Sequence, residues 1–369
     1  MIDFRYHLVS IVAVFLALAI GIVLGSTELQ GHTLDVLQST SDSLRNQLSA
    51  TSAERDSYQA QAGAAEQFLQ TAEPTLLQNR LAGQRVVFIT EPGAAPGVIS
   101  GVRQAAASAG ATVSGQVSLQ PKFSDISGAT QSALGTINSS IASDDGVTLT
   151  QGASAQTAAQ QQAAQLIAAA ILTKSDNSNN GQGGAGTGGT GTGHAGSAGS
   201  GGASGGGSGG ISAASAQTLL SAYAQGGFIT VSGSPADRAS LAVVVAPAAP
   251  PPGGENDPVN QVLLAAVQEF APAGLATVVA GSTAGSAQPG SPISVLRGSS
   301  VSAQVSTVDN ADTTLGQISA VQALAAQLAG RKPNSYGVSG ASAVSPDPMP
   351  SPVVTATAPP HHQPGRAKK

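Results

Sequence analysis

The chain has 369 residues, a net charge of −5, no cysteine, and only 3% aromatic and 9% charged residues. Disulfides, thiolate zinc sites and cysteine nucleophiles are excluded, and no basic stripe exists to neutralise the phosphates of a nucleic acid. The length suits one or two domains, whose cores must be built from Ala, Val, Leu and Ile.

Leu8 to Gly25, LVSIVAVFLALAIGIVLG, runs 18 positions without a charge. As a helix it reaches ~27 Å, about one hydrocarbon core. Residues 1–26 are therefore read as a membrane anchor, with Leu8, Val12, Phe15, Leu18, Ile22 and Leu24 among its apolar residues. A cleaved signal peptide is the competing reading, but Val23-Leu24-Gly25 is a poor cleavage site and the run is long for one. A buried core helix is disfavoured by the length and by the lack of a polar face. Arg5 precedes the run, while Glu28 and Asp35 follow it. The positive-inside rule then gives a single-pass protein of the cell membrane, with residues 1–7 in the cytoplasm and the bulk outside.

Residues 27–73 show a 3-4 apolar spacing. The a positions are Leu34, Ser41, Leu48, Arg55, Ala62 and Leu69, and the d positions are Leu37, Leu44, Thr51, Tyr58, Ala65 and Ala72. This predicts a coiled coil ending at Pro74, a homodimer with Leu34, Leu37, Leu44, Leu48, Tyr58 and Leu69 in its seam. The alternative is one amphipathic helix packed on its own domain, but a 3.5 period suits a partner helix better.

The pattern then changes to alternating strands and helices. In the first half, 83–174, Val86–Ile89 reads as a buried parallel strand, Pro96–Ala109 as a helix and Ala111–Leu119 as a second strand. Ser124–Ala142 and Gly152–Leu172 read as further helices. Residues 175–210 form a glycine-rich insertion with the composition of a disordered linker. In the second half, 211–337, residues 212–225 read as a helix, and Phe228–Val231, Leu241–Ala246 and Ala276–Ala280 as strands. Asp257 caps a helix that opens at Pro258. The last helix, Leu315–Ala329, carries Ile318, Val321, Ala325 and Leu328 as a stripe and closes at Gly330. Residues 338–369 read as a disordered Pro- and Ser-rich tail. The fold class expected is α/β, with a parallel, Rossmann-like sheet outside the membrane, after an anchor and a coiled coil.

Candidate chemistry is sparse. Glu91 and Gly93 lie in the turn after the first strand, where α/β folds bind ligands, but the turn matches neither dinucleotide nor P-loop glycine patterns. Asp309 and Asp312 precede the last helix and could hold a hard cation, yet a helix cap by Asp312 or Thr313 is the simpler reading. Gly202-Ala-Ser204-Gly-Gly206 matches a nucleophile elbow only by composition. Asn138-Ser-Ser140 fits a glycosylation sequon. The histidines, His7, His32, His194, His361 and His362, are scattered, and Met1 and Met349 are the thioethers. No copper or other metal cluster can be assembled from them. No catalytic residue, metal ligand or cofactor is therefore expected, and the chain is not read as an enzyme.

The opening Arg5-x-His7-x-Val-Ser10-x-x-Ala13 through Gly21 and Gly25 resembles the start of the actinobacterial MctB family. Val305-Ser-Thr-Val-Asp309-Asn-Ala-Asp-Thr-Thr-Leu-Gly316-Gln and Ser335-Tyr336-Gly337 resemble that family's C-terminal signature. The resemblance implies a role in copper efflux or homeostasis and an outer-membrane association, with copper entering on this ground alone. It also implies SteA-type membrane partners in envelope and cell-separation work. The residues themselves disfavour an outer-membrane barrel, which needs ~10-residue alternating segments with aromatic girdles. They point instead to an anchored, dimeric, extracytoplasmic scaffold, with a SteA-partnered scaffold without direct copper handling as the alternative.

Overall fold

The computed structural model describes residues 4–152, 154–175 and 211–347, and the side chains of all of these except 4, 5 and 26–36. The chain divides into two compact units, Met1–Gln67 and Phe68–Lys369. The glycine-rich insertion from 176 onwards, the nucleophile-elbow match, His194, His361 and His362 lie outside the described residues, as does the side chain of Leu34.

The first unit belongs to one long helix, α1 (Phe4–Leu77). Its stretch Tyr6–Gly25 is long and apolar enough to cross a membrane, and none of that stretch is buried. Residues 27–73 are helical, as the heptads require, but the coiled coil itself is not shown by the single chain. Leu37, Leu44, Leu48 and Tyr58 are all 60% or more exposed. Two features of α1 within the second unit bear on where the seam ends. The helix does not stop at Pro74 but runs three residues further, because Leu77 is fully buried and Leu76 packs beside it, which offsets the hydrogen bond that proline lacks. Leu69 is not a free seam position either, since it packs against that same core.

The second unit is a seven-stranded sheet of β1 (Arg85–Thr90), β2 (Thr112–Leu119), β3 (Ile229–Gly233), β4 (Leu241–Val245), β5 (Ala276–Ala280), β6 (Ser306–Val308) and β7 (Ser335–Tyr336), in the order β3-β2-β1-β4-β5-β6-β7. All neighbours are parallel except β3, which pairs antiparallel with β2 at the edge. That edge departs from the all-parallel expectation. Three helices, α3 (Gly128–Asp145), α4 (Ala158–Ile171) and α5 (Ala213–Gln225), separate β2 from β3, and so long a connection leaves the returning direction free.

Successive strand residues face opposite layers. Val86 and Phe88, with Leu241, Val243, Val245 and Val278, pack under α2 (Pro96–Ser108), α9 (Thr314–Leu328) and the end of α1. Val87 and Ile89, with Val117, Val244 and Val279, pack under α3, α4, α5, α6 (Pro258–Ala273) and α8 (Pro292–Gly298). A sheet buried on both faces explains the unbroken apolar runs. Asp257 caps α6 by accepting from the Val259 amide at 2.9 Å. The supposed tail starts late: residues 338–347 are described and folded, with Ser319 Oγ donating to the Val344 carbonyl at 3.1 Å.

Glycines separate tight from open positions. At Gly316, in the first turn of α9, a Cβ would collide with the Asn310 carbonyl. At Gly135, inside α3, a Cβ meets nothing within 4 Å. Gly316→Ala should therefore lower the unfolding free energy by about 2 kcal/mol or more. Gly135→Ala should raise it by about 0.5–1 kcal/mol. Urea midpoints of the two variants should move in opposite directions.

Candidate functional site

The chain leaves β1 toward β2 on one side, while β4 and β5 extend the sheet on the other. The carboxyl ends of β1 and β4 thus form the topological switch point, where open α/β sheets place ligands. Glu91 follows β1 there. Its amide donates to the Val245 carbonyl at 3.0 Å and its carbonyl accepts from Ala94 at 3.0 Å. Gly93 turns the chain with φ +79, a conformation that suits glycine. Its carbonyl accepts from the Ala248 amide at 2.9 Å, tying the loop after β1 to the loop after β4.

The Glu91 side chain is the anomaly of this edge. It is 2% exposed, and among the described residues neither carboxyl oxygen has a hydrogen-bond partner. Burial pushes its pKa from 4.5 up to about 8, so the group is a neutral acid at pH 7. Asn310 Oδ1, after β6, and Ser286 Oγ, in the short helix α7 (Thr283–Ser286), are also buried without partners among the described residues.

The other acids have different tasks. Asp309 is fully buried and accepts from Arg297 Nη1 at 2.9 Å and from the amides of Val338 at 2.7 Å and Ser339 at 2.8 Å. Arg297, on α8, also donates to Thr307 Oγ1 and to the carbonyls of Tyr336 and Ser339. Asp312 does not cap α9. It accepts from the amide and hydroxyl of Thr283, both at 2.8 Å, while Thr313 caps α9 by accepting from the Gly316 amide at 3.2 Å. Glu91 and Asp309 are not a pair: β4 and β5 lie between their strands, which puts the two backbones roughly 14 Å apart at ~4.8 Å per step. Among the described residues no group of three or more His, Cys, Asp or Glu converges on a metal-sized site. The sequon asparagine, Asn138, is fully buried, its Nδ2 bonded to the Ala159 carbonyl and its Oδ1 to Tyr223, so the folded chain does not present it.

The sequence reading missed Arg297, the hub of this edge. A signal existed: in a chain this poor in charge, an acid inside an apolar strand end needs a cation nearby.

Two predictions follow from these acids. Below pH 4.5, wild type and Glu91→Gln should be equally stable. Between pH 4.5 and about 8, the unfolded wild-type chain ionises Glu91 and the folded chain does not. Wild type therefore loses stability as pH rises, by about 1.4 kcal/mol per unit, and the loss levels off above pH 8. Urea denaturation across that range should show the slope in wild type and its loss in Glu91→Gln. Arg297→Ala strands Asp309 and should cost about 3–5 kcal/mol, read in the same assay at neutral pH.

Residues 1–346 match the family model described as "Copper transport outer membrane protein, MctB". The proteins named "Copper transporter MctB" from Mycobacterium tuberculosis and Mycobacterium bovis are 29% identical over 344 residues, covering 91% of this chain and 96% of theirs. The protein of that name from Mycobacterium leprae is 29% identical over 354 residues, covering 94% of this chain and 99% of its own.

Proposed function

This chain belongs to the MctB family of copper transport outer membrane proteins, and from that premise we propose that it serves copper transport or homeostasis at the cell envelope as a membrane-anchored dimer. The relatives' names support the copper role. The observation that carries the dimer is the exposure of Leu37, Leu44, Leu48 and Tyr58 at heptad positions along one helix. Apolar side chains in a 3-4 spacing lose their water only against a partner helix.

In this reading the anchor is Tyr6–Gly25 and the α/β unit lies outside the cytoplasm, with Arg5 inside. One such helix per chain among the described residues does not enclose a channel, and in this reading the protein acts as a scaffold that holds or positions copper-handling components. The outer-membrane label of the family then describes where its effect is felt in the envelope.

The double variant Leu44→Asp, Leu48→Asp places two charges per chain in the seam. Light scattering of the detergent-solubilised full chain should give a dimer for wild type and a monomer for the variant. In a copper-sensitive deletion strain, wild type should restore tolerance and the monomeric variant should not. An unchanged mass removes the dimer. Restored tolerance by a proven monomer removes the scaffold role.

A further inference from the structure

The opposite, amino edge of the sheet gathers positive charge. Val86 of β1 lies beside Leu241 of β4, so Arg85, which opens β1, and Arg238, just before β4, share one edge. Both line an open cavity of about 600 Å³, together with Ser212 and Ala213 at the start of α5 and with Asp237. Arg85 Nη1 donates to the Asp237 carbonyl at 2.9 Å, which holds the guanidinium in place. Arg238 Nη2 is shielded from solvent and has no acceptor among the described residues. Its backbone sits at φ +43, where side-chain-bearing residues are rare.

Neither arginine is in an ion pair among the described residues. The ion pairs there are Arg45–Asp42, Arg55–Asp56 and Arg297–Asp309. Asp237 contributes one exposed carboxylate to the lining, so the lining carries two positive charges against one negative. A shielded N–H without an acceptor is costly, and a guanidinium without an anion is more so. Arg238 thus holds one N–H without an acceptor among the described residues, and the partly exposed Arg85 adds a second guanidinium at the same cavity.

We propose that this cavity binds a phosphate group. A phosphate offers acceptors on several sides, matches the guanidinium fork in pairs, and is favoured near the start of a helix. The cavity is wider than a phosphate ion and has room for an organic ester. The site is separate from the Glu91 edge and does not depend on the copper role.

The test uses the full chain in a nonionic detergent with two probes. One is inorganic phosphate. The other is dihexanoylphosphatidylglycerol below its micellar concentration. Phosphorus-31 line broadening reports binding. Arg85→Gln and Arg238→Gly should each weaken it at least tenfold, and Asp237→Asn should tighten it several-fold. Glycine at 238 accepts the positive φ without strain, so lost binding there reads as a lost ligand contact and not as unfolding. Arginine-dependent binding of inorganic phosphate, alone or with the lipid, assigns a soluble phosphate compound. Arginine-dependent binding of the lipid alone assigns a headgroup. Binding of neither probe, or binding unchanged in both arginine variants, overturns the proposal.

Discussion

Burial of both faces of the central strands is the constraint on which the second unit depends. Every residue of β4 and β5 is buried, and β1 is buried from Val86 to Thr90. Such strands have no side left for water, so helices must cover both faces. Charged side chains are then kept out of the central strands and collect at their two ends. The carboxyl edge receives Glu91, Asp309 and Asn310; the amino edge receives Arg85 and Arg238. Glu91, Asp309 and Arg297 gather at the carboxyl edge, and Arg85, Asp237 and Arg238 at the amino edge, because the covered strands between them leave no water for a charge.

The two buried acids show opposite solutions to one cost. Asp309 is matched by Arg297 and two backbone amides. That pairing also does structural work: β7 has two residues and a short ladder, and Arg297 binds the carbonyls of Tyr336 and Ser339 on either side of its end. A side-chain hub thus holds a strand too short to hold itself. Glu91 has no such partner and meets the cost by keeping its proton. Its loop is fixed by backbone bonds to Val245 and Ala248 instead. A charge on Glu91 would therefore act against a loop that is otherwise firmly tied.

Much of this was legible in the residues, and the misses have physical causes. Val86–Ile89 and Ala276–Ala280 are unbroken apolar runs between turn residues, so the sheet class was readable. Asp257-Pro258 gave the start of α6 because cap and first-turn chemistry are local. β6, with three residues, carries no periodicity to detect. The antiparallel direction of β3 and the meeting of Arg297 with Asp309 are set by tertiary closure, which no local pattern encodes. Of the two cap candidates, Asp312 and Thr313, it is Thr313 that caps α9; the partner of Asp312, Thr283, lies 29 residues away and could not be read locally. Glu91 was found by position in the turn, but its lack of partners is a property of packing and could not be read from Glu91-Pro92-Gly93.

The close packing of the second unit rests on small residues as well as on its few large ones. The second unit closes its layers with small residues: Ala163, Ala164, Ala168 and Ala170 of α4 are buried, and Gly101 of α2 meets the Gln317 side chain of α9 closely enough that a Cβ would collide with it. With few aromatics, dispersion must come from many short contacts, which demands close backbone approach and leaves little room for added volume. The chain nevertheless leaves Leu37, Leu44, Leu48, Tyr58 and Phe68 exposed on α1. A sequence this short of large apolar side chains gains nothing by wetting five of them at the surface. Beyond α1, the exposed large apolar residues among the described ones are Val231, Val338 and Val344, so it is on α1 that the proposed partner helix would find its apolar surface.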